Sequence, residues 1–208
     1  MASPETSTDC HVTDKIPVVF ILGAPGTGKN TQCDMILGKY SCDHFSAGGL
    51  LREELKKEDS PHKEIIADTM RRGSVVPGYI IGALLREAIQ KAAEKDLQFV
   101  IIDGFPRSIE QRDVFISACG DGKAVIVLET PKDVLVERLM ARAAASTSLR
   151  LDDNPESIKK RFLTENRLVK PVLDSYEDQG KVYRIESIKS PEEVFIDVCK
   201  ALDDIITK

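Results

Sequence analysis

Residues 23–31, Gly-Ala-Pro-Gly-Thr-Gly-Lys-Asn-Thr, follow directly on the apolar run Val18–Leu22 and lead into a stretch of helical period. A strand that breaks into a glycine-rich loop and re-enters as a helix leaves few architectures open. Glycines at 23, 26 and 28 let the backbone turn sharply and aim its amide hydrogens inward. The helix behind them adds the positive end of its dipole, and Lys29 adds a point charge suited to β- and γ-phosphates. Gly26, Thr27, Gly28, Lys29, Asn30 and Thr31 are therefore candidate ligands of a nucleoside triphosphate. One place departs from the usual pattern: Asn30 stands where Ser or Thr is expected, and the hydroxyl comes one residue later, at Thr31.

Further apolar, β-rich runs at 98–102 and 124–128 alternate with stretches of helical period. Continuous apolar strands separated by helices imply a parallel sheet covered on both faces. Residues 181–185 form a weaker fourth strand, and 43–45 a very short fifth. Thr130-Pro131 and Asn154-Pro155 read as helix starts, with Pro171 expected to kink the second of these helices. The spans 46–77 and 143–153 interrupt the alternation and read as flexible insertions. Residues 1–15, polar and rich in Ser and Thr, read as a disordered tail, which leaves 16–208 as a single domain.

The 34 acidic residues outnumber the 29 basic ones, for a net charge of −5, which argues against a nucleic acid partner. No apolar run approaches the roughly 18–20 residues needed to span a bilayer, so no membrane role is expected. Cys10, Cys33, Cys42, Cys119 and Cys199 are odd in number and scattered, with no CxxC pair. That pattern argues against a zinc site or disulfide framework and fits a cytoplasmic chain with reduced thiols.

Other residues carry chemistry at readable spacings. Asp103 ends the run 100–103 beside the loop, where phosphate-loop enzymes hold Mg²⁺, usually through water. Arg138 and Arg142 lie one helical turn apart and share a face, with Arg150 and Arg161 following.

Together with Thr31-Gln32 after the loop, these features resemble the short-lid nucleoside monophosphate kinases, the group that includes adenylate kinases and UMP-CMP kinases. The resemblance runs from about residue 17 to 202 and rests on five motifs in family order. It implies an α/β P-loop kinase: a five-stranded parallel sheet flanked by helices, with an inserted helical lobe for the nucleoside monophosphate (46–77) and a short lid (142–153). The segment 44–52, His-Phe-Ser-Ala-Gly-Gly-Leu-Leu-Arg, is similar to the entry into that lobe, and gives Ala47 and Arg52 to the acceptor. Residues 73–77, Gly-Ser-Val-Val-Pro, give Ser74, Val75 and Val76, whose backbone would lie against the acceptor base. Asp103-Gly104-Phe105-Pro106-Arg107 gives Gly104 and Arg107, and Gln111 would bond the base with its amide.

The resemblance further implies that Arg138 stacks on the ATP adenine and that Lys189 touches it through its backbone. Lys29, Arg142, Arg150 and Arg161 would be catalytic, and Arg150 and Arg161 would also contact the acceptor. The substrates implied are ATP and a nucleoside monophosphate, with Mg²⁺ and without zinc, and a monomer suffices for such chemistry. Two acidic positions of the family pattern are missing, at Gly49 and at Gly78-Tyr79, so a catalytically weakened nucleotide-binding relative is the alternative. Ala47 leans the acceptor towards UMP or CMP, whereas Gln111 keeps AMP close behind.

Overall fold

The structure, a computed structural model, describes residues 11–145 and 165–208. Five parallel strands lie in the order β2-β3-β1-β4-β5, comprising β1 (Val18–Leu22), β2 (Cys42–Ser46), β3 (Phe99–Asp103), β4 (Ala124–Glu129) and β5 (Val182–Glu186). Every residue of β1 and β3 is buried, as expected for central strands whose apolar runs are unbroken. Alternation sorts their side chains between two cores. Val18, Phe20 and Leu22 join Val100, Ile102, Val125 and Val127 on one face. Val19 and Ile21 join Phe99, Ile101, Ile126 and Leu128 on the other.

The first face is covered by α3 (Ala47–Lys56), α4 (Lys63–Arg71), α5 (Gly78–Ala92), α6 (Ile109–Cys119) and α8 (Lys170–Glu177). At its centre Phe20, Phe105, Phe115 and Tyr176 form a cluster, with ring centroids 5.4–6.0 Å apart. The second face is covered by α2 (Lys29–Leu37) and α9 (Pro191–Thr207), through Cys33, Ile36, Val194, Val198, Leu202 and Ile205.

Register brings the functional ends of three strands together. Ile21 pairs with Asp103 and Ser46 with Asp103, so the phosphate loop, the Asp103 carboxylate and the start of α3 share the carboxyl edge of the sheet. In open parallel sheets that edge is where ligands bind.

The structure corrects several expectations. Val12–Lys15 form α1, a single helical turn held by Thr13 Oγ1 donating to the Cys119 carbonyl at 2.9 Å, so residues 12–15 are not part of a disordered tail. β2 is a full five-residue strand whose polar edge character hid its length. The insertion 46–77 is not flexible chain but contains two packed helices, in keeping with the helical lobe that the resemblance implies there, with Leu51, Ile66 and Met70 in the core. Thr130 Oγ1 meets Ser187 Oγ at 2.5 Å, joining the ends of β4 and β5 as well as preceding α7 (Lys132–Ala145). Pro171 falls in the first turn of α8, directly after the single π-helical turn Glu165–Val169. The helix start expected at 154–155 lies outside the described residues, as does most of the expected lid, although 142–145 continue α7.

Candidate active site

At the carboxyl edge of the sheet a cavity of about 600 Å³ opens between α3, the phosphate loop, α7 and the residues that follow β5. Its volume lies within the usual range for small-molecule sites.

The loop builds one wall. Gly23, with φ +144°, brings its α-carbon so close to β4 that an added Cβ would lie 2.6 Å from the Leu128 carbonyl oxygen. Gly28, at φ +90°, serves as the N-cap of α2 in a left-handed conformation, leaving the first-turn amides of α2 without a side-chain cap. Thr27 Oγ1 donates to the Ala24 carbonyl at 3.0 Å. Lys29 Nζ donates to the carbonyls of Gly23 and Ala24 at 2.6 and 3.0 Å, which aligns the ammonium along the loop. Asn30 and Thr31 line the same wall.

Behind Lys29 lies Asp103, only 5% exposed. Burial alone would raise its pKa. The His44 imidazole, 3.4 Å away, the Lys29 ammonium and the Ser46 hydroxyl outweigh burial and hold the carboxyl below the usual carboxylate range. The result is a desolvated anion at the end of β3.

The acceptor-side candidates line the same cavity as the loop. Ala47 and Arg52 come from α3, Ser74, Val75 and Val76 from the link to α5, and Gly104, Arg107 and Gln111 from the segment after β3. Two glycines make room for the two guanidinium groups. A Cβ on Gly48 would lie 3.1 Å from Arg52 Nη1, and one on Gly104 3.1 Å from Arg107 Nη2. Arg107 Nε donates to the Gly104 carbonyl at 2.8 Å. The Gln111 amide is oriented at both ends, with Oε1 accepting from Arg107 N at 2.8 Å and Nε2 donating to the Val76 carbonyl at 2.7 Å. One Nε2 hydrogen is left over, and the side chain is buried with its amide at the cavity wall.

At the far end Arg138 Nη2 donates to the Ile188 carbonyl at 3.4 Å, and Lys189 turns its ammonium outward to Asp197 at 3.5 Å. All the candidates among the described side chains therefore belong to residues that line one cavity, Lys189 with its ammonium turned away from it. Arg150 and Arg161 lie outside the described residues, and Arg142 is placed only as part of α7.

Three residues with structural parts in the site have partners that the sequence does not reveal. His44 sits in a quoted motif, yet its pairing with Asp103 depends on β2–β3 register. Gln32 bonds the Pro191 carbonyl, a partner 159 positions away. Glu110 reaches the backbone of Gly78. At two of the departures the contacts are local: Ser46 Oγ accepts from Gly49 N and caps α3, and the Tyr79 ring meets His62 at 5.7 Å, edge to face.

The family model for adenylate kinase matches residues 21–181. The uridylate kinase of Saccharomyces cerevisiae is 39% identical over 204 residues, covering 98% of this chain and 99% of its own. Adenylate kinase isoenzyme 1 of Caenorhabditis elegans is 40% identical over 193 residues, 93% of this chain and 90% of its own. UMP-CMP kinase of Danio rerio is 40% identical over 195 residues, 91% of this chain and 98% of its own.

Proposed function

Because the chain belongs to the adenylate kinase family, we infer that it is an ATP:nucleoside monophosphate phosphotransferase, converting ATP and a monophosphate reversibly to ADP and a diphosphate. The observation that carries this reading is one cavity lined both by the phosphate loop and by Arg52, Arg107 and Gln111.

Phosphoryl transfer passes through a loose transition state, so the protein's task is positioning and charge neutralisation. Lys29 and the loop amides hold the donor phosphates, and Arg138 with the backbone around Lys189 holds the adenine. Arg52 and Arg107 take the acceptor phosphate, a bidentate task that suits guanidinium. Arg142, Arg150 and Arg161 stabilise the migrating group, and the lid at 142–153 closes to exclude water.

Asp103 suits Mg²⁺: it is a hard oxygen donor, kept ionised, and among the described residues no three His, Cys, Asp or Glu gather to form an all-protein cage. A lone carboxylate fits a cation that keeps most of its water and takes phosphate oxygens as further ligands. Such an ion supplies charge neutralisation on the phosphates when bound.

The acceptor is UMP or CMP on the strength of Ala47 at the start of α3. AMP is the competing reading, because the Gln111 amide can serve a purine equally well. ADP release from ATP and Mg²⁺, with AMP, UMP, CMP, dCMP and GMP supplied in turn, ranks them; stimulation by none would overturn the reading. In the same assay Arg142→Ala and Arg161→Ala are expected to lose most turnover, and near-normal rates would remove those residues from the catalytic set.

A further inference from the structure

Helix α5 begins without the usual help. Its N-cap is Pro77, which has no side-chain donor or acceptor, and its first turn contains no acidic residue. First-turn amides need a partner, and the positive helix end favours an anion. Here the anion comes from the neighbouring helix: Gly78 N donates to both carboxylate oxygens of Glu110, at 2.9 and 3.2 Å. The approach depends on residue 78 having no side chain. A Cβ there would lie 2.7 Å from Glu110 Oε1 and 3.1 Å from Gln111 Cα.

Glu110 does not line the cavity, but both of its neighbours in this arrangement lead to residues that do. Val76, two residues before Gly78, receives the Gln111 amide hydrogen, and Gln111 follows Glu110 on α6. The segment 76–78 is thus held by two adjacent side chains of α6, and that grip sets both the backbone line of Val75 and Val76 and the direction of the Gln111 amide. We propose that Glu110 is a positioning residue for the acceptor nucleoside, fixing the wall against which its base lies by anchoring the start of α5. The proposal rests on the assignment of Ser74–Val76 and Gln111 to the acceptor base.

The test compares Glu110→Ala, Glu110→Gln and Gln111→Ala with the parent in steady-state kinetics, varying ATP and the best acceptor separately and recording thermal midpoints. Glu110→Ala is expected to raise the acceptor KM about fivefold, the scale of one lost hydrogen bond, with kcat and the ATP KM within twofold. Glu110→Gln keeps an acceptor oxygen for Gly78 N and is expected to recover most of that loss. A residue that only stabilises the helix would lower the midpoint and leave the acceptor KM where it was, and this outcome overturns the proposal. Equal rises in both KM values overturn it as well. If Gln111→Ala raises the acceptor KM while Glu110→Ala does not, the anchoring role alone fails. If neither moves it, the assignment of the acceptor wall fails and the anchoring role with it.

Discussion

Gln32 Nε2 donates to the carbonyl of Pro191 at 2.9 Å, joining the first turns of α2 and α9. The side chain is 3% exposed, and its Oε1 is buried without a partner. This bond fixes the distance from the loop that holds phosphates to the segment around Lys189. Gln32→Ala should raise the ATP KM about fivefold, on the scale of one buried hydrogen bond, and leave the acceptor KM within twofold. Initial-rate kinetics with each substrate varied in turn checks both halves.

Gly48→Ala should separate stability from function. In a helix, Gly to Ala stabilises by roughly 0.5–1 kcal/mol. The new methyl would lie 3.1 Å from Arg52 Nη1 and displace the guanidinium. A higher thermal midpoint with a several-fold higher acceptor KM is expected, and an unchanged KM would show that Arg52 tolerates the shift.

Phe115→Ala should cost about 3–5 kcal/mol of folding stability, as for other large-to-small aromatic changes in cores. Phe115 is fully buried, with its ring centroid 5.4 Å from those of both Phe20 and Phe105. Urea unfolding gives the number. Because Phe105 lies between Gly104 and Arg107, acceptor affinity should fall in the same variant.

The thiols of Cys33, Cys42 and Cys119 should be quiet in the folded chain. Burial pushes the Cys42 and Cys119 thiols up to about 11, and burial also raises that of Cys33. At pH 8 these groups stay protonated, and alkylation followed by mass spectrometry should find them unmodified until denaturant is added. The sign for stability follows. Between the ordinary thiol value of 9.0 and the raised folded values, the unfolded chain has lost protons that the folded chain retains, so stability falls as pH rises. Thermal midpoints should be unaffected by these groups below pH 9 and decline above it.

The phosphate loop was legible because strand, glycines, Lys29 and helix are contiguous, so local sequence determines the geometry. The central strands were legible for a related reason: burial on both faces leaves an unbroken apolar run. β2 reads as shorter than it is because an edge strand carrying Asp43 and His44 lacks that signature and owes its length to pairing with β3. Residues 12–15 read as tail because their ordering depends on Cys119, more than a hundred positions away. Gly78 looked like a lost carboxylate. Glu110 supplies one from another helix, and a substitution whose partner is distant in sequence has no local mark. The partner of Gln32, Pro191, is hidden for the same reason.

The strand order places β1 between β3 and β4, and this divides the cavity by chain segment. Every described residue proposed for the acceptor falls between positions 46 and 111, while those proposed for ATP come from before and after that stretch. A contiguous exchange of 46–111 with the corresponding piece of a relative would carry acceptor choice from one kinase to another, with the Glu110–Gly78 and Gln111–Val76 contacts travelling inside it. Inheritance can therefore vary the nucleoside such a chain serves while the residues that would touch ATP itself stay in place, provided that the exchanged piece keeps Asp103.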